Sequence, residues 1–229
     1  MANIPVTYWS QIIYNFCDEV NEMCRPDYLT QIEERITNAS VGEAFIPSDF
    51  LDIADTTVVR KALSRLSESG KIRRVIRGVY NHPRFSDLLQ EYEAPNMEQV
   101  AKAIARNFGW NIVPCGDTAL NLLGLSTQVP AVWQYVSDGP YREYIVGNLV
   151  LKFKHTSNKD LAGQSYITAL ITQALKALGK DGVDDKVIQK LRKKVATDKN
   201  VPNLLVETQH GTVWIFEVMK SIMEKGDEA

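Results

Sequence analysis

The chain has 229 residues, 45% of them hydrophobic and 24% charged, with a formal net charge of -2. That much apolar material supports one large or two small packed cores and excludes wholesale disorder. Its apolar runs are broken by Lys, Gln or Asn short of the ~18 to 20 residues a membrane span needs, and residues 1–9 show no basic region leading into an apolar run, so a cytoplasmic location is expected.

Apolar residues at helical spacing, Ile12, Ile13, Phe16, Val20 and Met23, predict an accessory helix over 7–23 that Pro26 stops, within an N-terminal segment 1–28. A second helix is expected over 29–39 with Leu29, Ile32 and Ile36 on one face, ended by Gly42. Ser48 is placed to cap a short helix carrying Phe50, Leu51 and Ile53. The next helix starts at Asp55 or Thr56 and runs to Ser69, with Gly70 as its stop and Val59, Ala62, Leu63 and Leu66 as a buried stripe. A β-rich run over 71–80 follows, interrupted by a turn at Arg77-Gly78. Three helices and then a hairpin is the order of a winged helix-turn-helix, assigned here to residues 29–84.

Residues 85–95 are acidic and contain Pro95, which suggests a connection between domains. In 96–229 the pattern predicts a helix over 96–108, a strand over 110–113 and a helix following the turn Pro114-Cys115-Gly116-Asp117. Strands are expected over 131–136, 141–146 and 149–154, separated by Asp138-Gly139-Pro140 and Gly147-Asn148. Helices are expected over 164–178, 185–197 and 212–224. The fold class is therefore α+β and mostly helical, with an N-terminal winged helix-turn-helix and a mixed α/β C-terminal domain that ends in helices.

Charge is distributed unevenly. Residues 56–84 contain eight Lys or Arg and one acid, Glu68, so this segment carries +7 and the rest of the chain -9. An acidic protein with one concentrated basic segment points that segment at an anionic partner. On the helix from Thr56, the side opposite the apolar stripe carries Thr57, Lys61 and Ser64, flanked by Arg60 and Arg65. Only a helix fits the width of a DNA major groove, small hydroxyls such as Thr56 and Thr57 permit close approach, and long cations reach guanine edges or phosphates. In the hairpin, Ile72, Val75 and Val79 are expected to fold inward while Lys71, Arg73, Arg74 and Arg77 project outward, the last well placed for a minor groove or a phosphate. These ten residues form the expected contact set for double-stranded DNA. How they divide between bases and phosphates is open, as is use of the same unit as a protein-interaction module.

Other signals are weaker. Residues 116–130 suggest a capped helix with a polar exit loop, alternatively a loop for a partner or an anion. Lys186, Lys190, Arg192, Lys193 and Lys194 lie on one helix, either as solvated charges or as an extension of a DNA footprint. Cys17, Cys24 and Cys115 form no CxxC pair and lie far in sequence from His82, His155 and His210, so no metal, disulfide or cofactor is expected, and Cys17 and Cys24, seven apart on one helix face, are assigned to packing. The phosphate-loop, dinucleotide, zinc-protease and nucleophile-elbow motifs are all missing, so no catalytic residues are assigned and the chain is not expected to be an enzyme. Asp138 with Lys152 and Lys154 is the nearest approach to a nuclease-like set.

The run 58–66 followed by 70–80 resembles the winged-helix part of AbiEi-type antitoxins, and 114–130 is similar to the characteristic segment of that group's second domain. The likeness covers residues 29–154. It implies a bacterial type IV toxin-antitoxin antitoxin of a phage-defence system that represses its own operon at repeated promoter sequences, with a nucleotidyltransferase-like toxin as partner and a possible homo-oligomer on DNA. Thr57, Arg60, Lys61, Arg65 and the arginines of the hairpin then take the DNA role. The helix before residue 29 departs from shorter members, and no toxin-neutralising residues are assigned. The alternative is a one-component winged-helix regulator with a ligand-sensing C-terminal domain.

Overall fold

The computed structural model describes residues 27–156, 163–197 and 203–224. The expected accessory helix, with Cys17 and Cys24, lies outside the described residues. The described chain is α+β, with eight α-helices, three small sheets and close to half of its residues helical.

Helix α1 (Tyr28–Asn38) starts where the Asp27 carboxylate accepts the Thr30 N–H at 3.0 Å, and it buries Ile32 and Ile36. Strand β1 (Ala44–Phe45) follows, with no counterpart among the expected strands because two residues carry too little pattern to register. Next, where a short helix carrying Phe50, Leu51 and Ile53 is expected, comes a 3-10 turn (Pro47–Phe50) that ends at Phe50. Ser48 lies inside this turn and does not cap it. The Ile46 N–H is instead accepted by Asp49 at 2.9 Å, and Pro47, which has no N–H to satisfy, suits the first position.

Helix α2 (Thr56–Glu68) is capped by Asp55, which accepts from the N–H groups of Thr57 at 2.8 Å and Val58 at 3.1 Å. It buries Val59, Ala62, Leu63 and Leu66, the stripe that the spacing predicts. Strands β2 (Arg73–Ile76) and β3 (Val79–Asn81) are joined at Arg77-Gly78, where Gly78 takes φ +80°, a left-handed conformation open to glycine at little cost. The three strands form an antiparallel sheet in the order β1-β3-β2.

The stretch 85–95 holds a hairpin, β4 (Phe85–Ser86) with β5 (Glu91–Tyr92), and Phe85 meets Tyr92 edge-on at 5.2 Å. Helix α3 (Met97–Phe108), capped by Asn96, leads into β6 (Ile112–Pro114), α4 (Asp117–Leu122), β7 (Val132–Ser137), β8 (Arg142–Val146) and β9 (Leu149–His155). The sheet order is β6-β7-β9-β8. Strand β9 inserts between β7 and β8 and pairs in parallel with β7, from Val132 opposite Val150 to Ser137 opposite His155. Helices α5 (Tyr166–Leu178), α6 (Asp185–Ala196), α7 (Leu204–Thr208) and α8 (Val213–Met223) complete the described chain.

Three apolar cores hold these elements. One joins Ile32, Phe50, Leu63 and Ile72 beneath α1 and α2. A second gathers Val100, Ile104, Tyr135, Leu151 and Phe153 around the four-stranded sheet, and it also takes Ala44, Ile46 and Val79 from β1 and β3 and the segment after them. The third packs Leu123, Ile171, Leu175, Leu191 and Met219 among α4 and the C-terminal helices. Between the first and second, Arg106 of α3 donates from Nη2 to the Ala44 carbonyl and to Asp49, both at 2.9 Å, so a charged clamp reinforces the apolar contact.

Candidate nucleic-acid interface

The outward side of α2 presents Thr56, Thr57, Arg60, Lys61, Ser64 and Arg65, all exposed. Asp55 and Arg35 keep the start of this helix in place. Arg35 of α1 grips the Asp52 carboxylate in a fork, 2.8 Å and 2.6 Å, and also donates to the Asp49 carbonyl at 3.1 Å. The guanidinium holds the Asp52 carboxyl below the usual carboxylate range. The loop leading into α2 is thereby tied to α1.

On the hairpin, Arg73, Arg74 and Arg77 are exposed, while Ile72 and Val79 are buried and Val75 half-buried, as alternation predicts. The ten residues expected to act together differ in how free they are. Lys71 turns back to the Glu33 carboxylate of α1. Ser64 donates to Glu68 at 3.0 Å, and Arg73 lies over the Tyr92 ring at 5.8 Å. Arg60, Lys61, Arg65, Arg74 and Arg77 form no ion pair among the described residues. A surface that leaves five cations unpaired, with α2 and β2-β3 fixed on one core, is suited to an extended polyanion.

The hairpin β4-β5 adds a neighbour that the sequence pattern does not announce. Arg73, Arg74, Glu91 and Tyr92 line a cleft of about 730 Å³ towards the end of α2, at Ser67 and Gly70, and a second of about 640 Å³ towards Gly147 and Asn148 of the β8-β9 turn. Phe85 and Tyr92, seven apart on either side of the tip Asp87-Leu88-Leu89-Gln90, were the available signal. Gln90 at φ 54° closes that tip in a conformation few non-glycine residues adopt, which is why the turn is hard to foresee.

The weaker candidates find local work. Asp138 accepts from the Asn111 N–H at 2.9 Å and side-chain amide at 2.7 Å, and Lys152 pairs with Glu143 at 3.0 Å, which raises the lysine's affinity for its proton. Lys190 donates to the Gly124 carbonyl at 3.1 Å and Arg192 to the carbonyls of Ser221 and Ile222, so two of the five cations on α6 close helix and loop ends. Asn121 donates to the Gln128 carbonyl at 2.9 Å, bracing the exit loop after α4. Cys115 is buried, and burial pushes its thiol pKa up.

The fold and this surface together define an α+β protein that displays exposed cations on a helix and an adjoining hairpin. The chain belongs to DUF6088, a family of unknown function whose model matches residues 31–202. No curated protein matches the chain. The family match runs from within α1 through the basic helix, the hairpins and the four-stranded sheet to beyond the end of α6.

Proposed function

We propose that this protein is a cytoplasmic, DNA-binding antitoxin of the AbiEi type that represses its own toxin-antitoxin operon and counteracts a nucleotidyltransferase-like toxin. The observation that carries the DNA reading is the set of five exposed cations, Arg60, Lys61, Arg65, Arg74 and Arg77, on α2 and the β2-β3 hairpin that form no ion pair among the described residues. The order α1, β1, 3-10 turn, α2, β2, β3, with β1 paired to β3, supports treating residues 29–84 as a winged helix-turn-helix. In that reading α2 enters the major groove, with Thr56, Thr57 and Ser64 nearest the DNA. Arg77, at the tip beside Gly78, reaches the flanking backbone or minor groove. The antitoxin part of the proposal rests on the likeness of 58–80 and 114–130 to AbiEi-type proteins.

The test is binding of the purified protein to a labelled fragment of its own promoter against a scrambled duplex, alongside Arg60→Ala/Arg65→Ala. Promoter-selective binding that weakens in the variant supports repression; equal weak binding to both duplexes overturns it. Growth rescue on co-expression with an adjacent nucleotidyltransferase-like gene tests the toxin partner, and failure to rescue removes the antitoxin assignment while leaving the DNA role intact.

A further inference from the structure

The C-terminal helices enclose a cavity of about 590 Å³ that none of the DNA-facing residues touches. This volume is in the range of small-molecule sites. Thr172 of α5 lines it at 8% exposure, and its hydroxyl has no hydrogen-bond partner. A buried hydroxyl within a helix ordinarily bonds a carbonyl one turn back or another polar group, because leaving it dry is costly. Gln164 also lines the cavity. Its Nε2 donates to the Glu207 carbonyl at 3.4 Å, and that carbonyl can only accept, so the amide orientation is settled and Oε1 is left buried without a donor.

The charges around the cavity are of both signs. Glu207 lies on the Gln164 side, its carboxylate anchored at Oε2 by the N–H and hydroxyl of Ser165, each at 2.9 Å. This corner offers acceptors and a negative charge. Thr212, the residue before the eleven-residue α8, makes no side-chain cap and lines the cavity, which brings the positive end of that helix near it, with Lys176 and His210 also in the lining. A simple anion would face Glu207, and a simple cation would face the start of α8. Ile215 and Val206 supply an apolar wall.

We infer that this cavity binds a free α-amino acid with a small or aliphatic side chain. The ammonium donates to Gln164 Oε1 and the Glu207 carboxylate, the carboxylate accepts at the start of α8 and from the Thr172 hydroxyl, and the side chain lies on Ile215. The site is independent of the DNA reading, since none of its residues lies on α2 or the hairpins.

The experiment is isothermal titration of the full chain, without DNA, with each protein amino acid in turn and with the N-acetyl and amide derivatives of any that bind. At least one small or aliphatic amino acid is expected to bind with a Kd below about 5 mM, and blocking either end of it is expected to abolish binding. Thr172→Val keeps the shape and removes the unpaired hydroxyl. It is expected to weaken binding about tenfold or more while the melting temperature holds or rises. Gln164→Met is expected to weaken binding likewise. Failure of every amino acid to bind, equal binding of the blocked forms, or unchanged affinity in Thr172→Val each overturns the inference. So does a lowered melting temperature in Thr172→Val, which would mean that the hydroxyl already serves the fold. Loss of promoter binding would bear on the DNA proposal alone.

Discussion

Replacing Arg60 and Arg65 with alanine removes two of the five unpaired cations on the α2 and hairpin surface while leaving the buried stripe of Val59, Ala62, Leu63 and Leu66 untouched. If all five neutralise phosphates, log K should fall against log salt with a slope of about -4.5 per protomer, because each phosphate contact contributes about 0.9. Between 50 and 200 mM salt that is a loss of about 500-fold. With three cations left the slope becomes about -2.7 and the loss about 40-fold over the same interval. Fluorescence anisotropy of a labelled promoter duplex across a salt series reads both slopes directly. Circular dichroism should superimpose for the two proteins, since both arginines are exposed and neither is in an ion pair among the described residues. A wild-type slope shallower than about -1, or the same slope in both proteins, would refute the assignment of this face to DNA.

Three further outcomes follow from the geometry. Asp49→Ala removes the acceptor for the Ile46 N–H and for Arg106, and at a partly exposed site this should cost about 1 to 3 kcal/mol in urea denaturation; no loss would mean that the clamp contributes nothing. At Gly139 an added Cβ would stand 2.3 Å from the Trp110 indole, so Gly139→Ala should destabilise by about 1 to 3 kcal/mol and shift tryptophan fluorescence, whereas a wild-type melt and spectrum would contradict the contact. The Cys115 thiol, its pKa raised by burial, favours the neutral form in the fold, so its contribution to stability is present below the thiol's unfolded pKa and declines as pH rises past it. Peptide mapping after iodoacetamide at alkaline pH should find Cys115 protected until urea is added; rapid alkylation of the native protein would count against its burial.

The features most legible in the sequence are those written in local chemistry. The stripe on α2 appears at i, i+3, i+4 and i+7. The turns at Arg77-Gly78 and Gly147-Asn148 depend on residues that accept left-handed backbone, and the strands around them fall within a residue or two of expectation. What stays hidden is set by partners far along the chain. Strand β1 is two residues long and exists because Ala44 and Phe45 pair with Asn81 and Tyr80. The parallel alignment of β7 with β9 is invisible to period, since the same alternation serves parallel and antiparallel pairing alike. Helix α7, at five residues, is too short to show a face. Within the candidate site, all ten expected residues are exposed, but nothing local reveals that Lys71 is held by Glu33 or that Tyr92 lies under Arg73.

The second core has a practical consequence. Because Ala44, Ile46 and Val79 pack with Met97, Val100 and Phe153, the basic helix and hairpin are not a portable module. A fragment cut anywhere between β3 and α3 would carry a raw apolar face where the partner layer had been, and it would tend to cluster through that face before meeting any ligand. A chimera that transplants this surface must bring α3 with it, including Arg106, or must rebuild the missing wall with polar substitutions at those three positions.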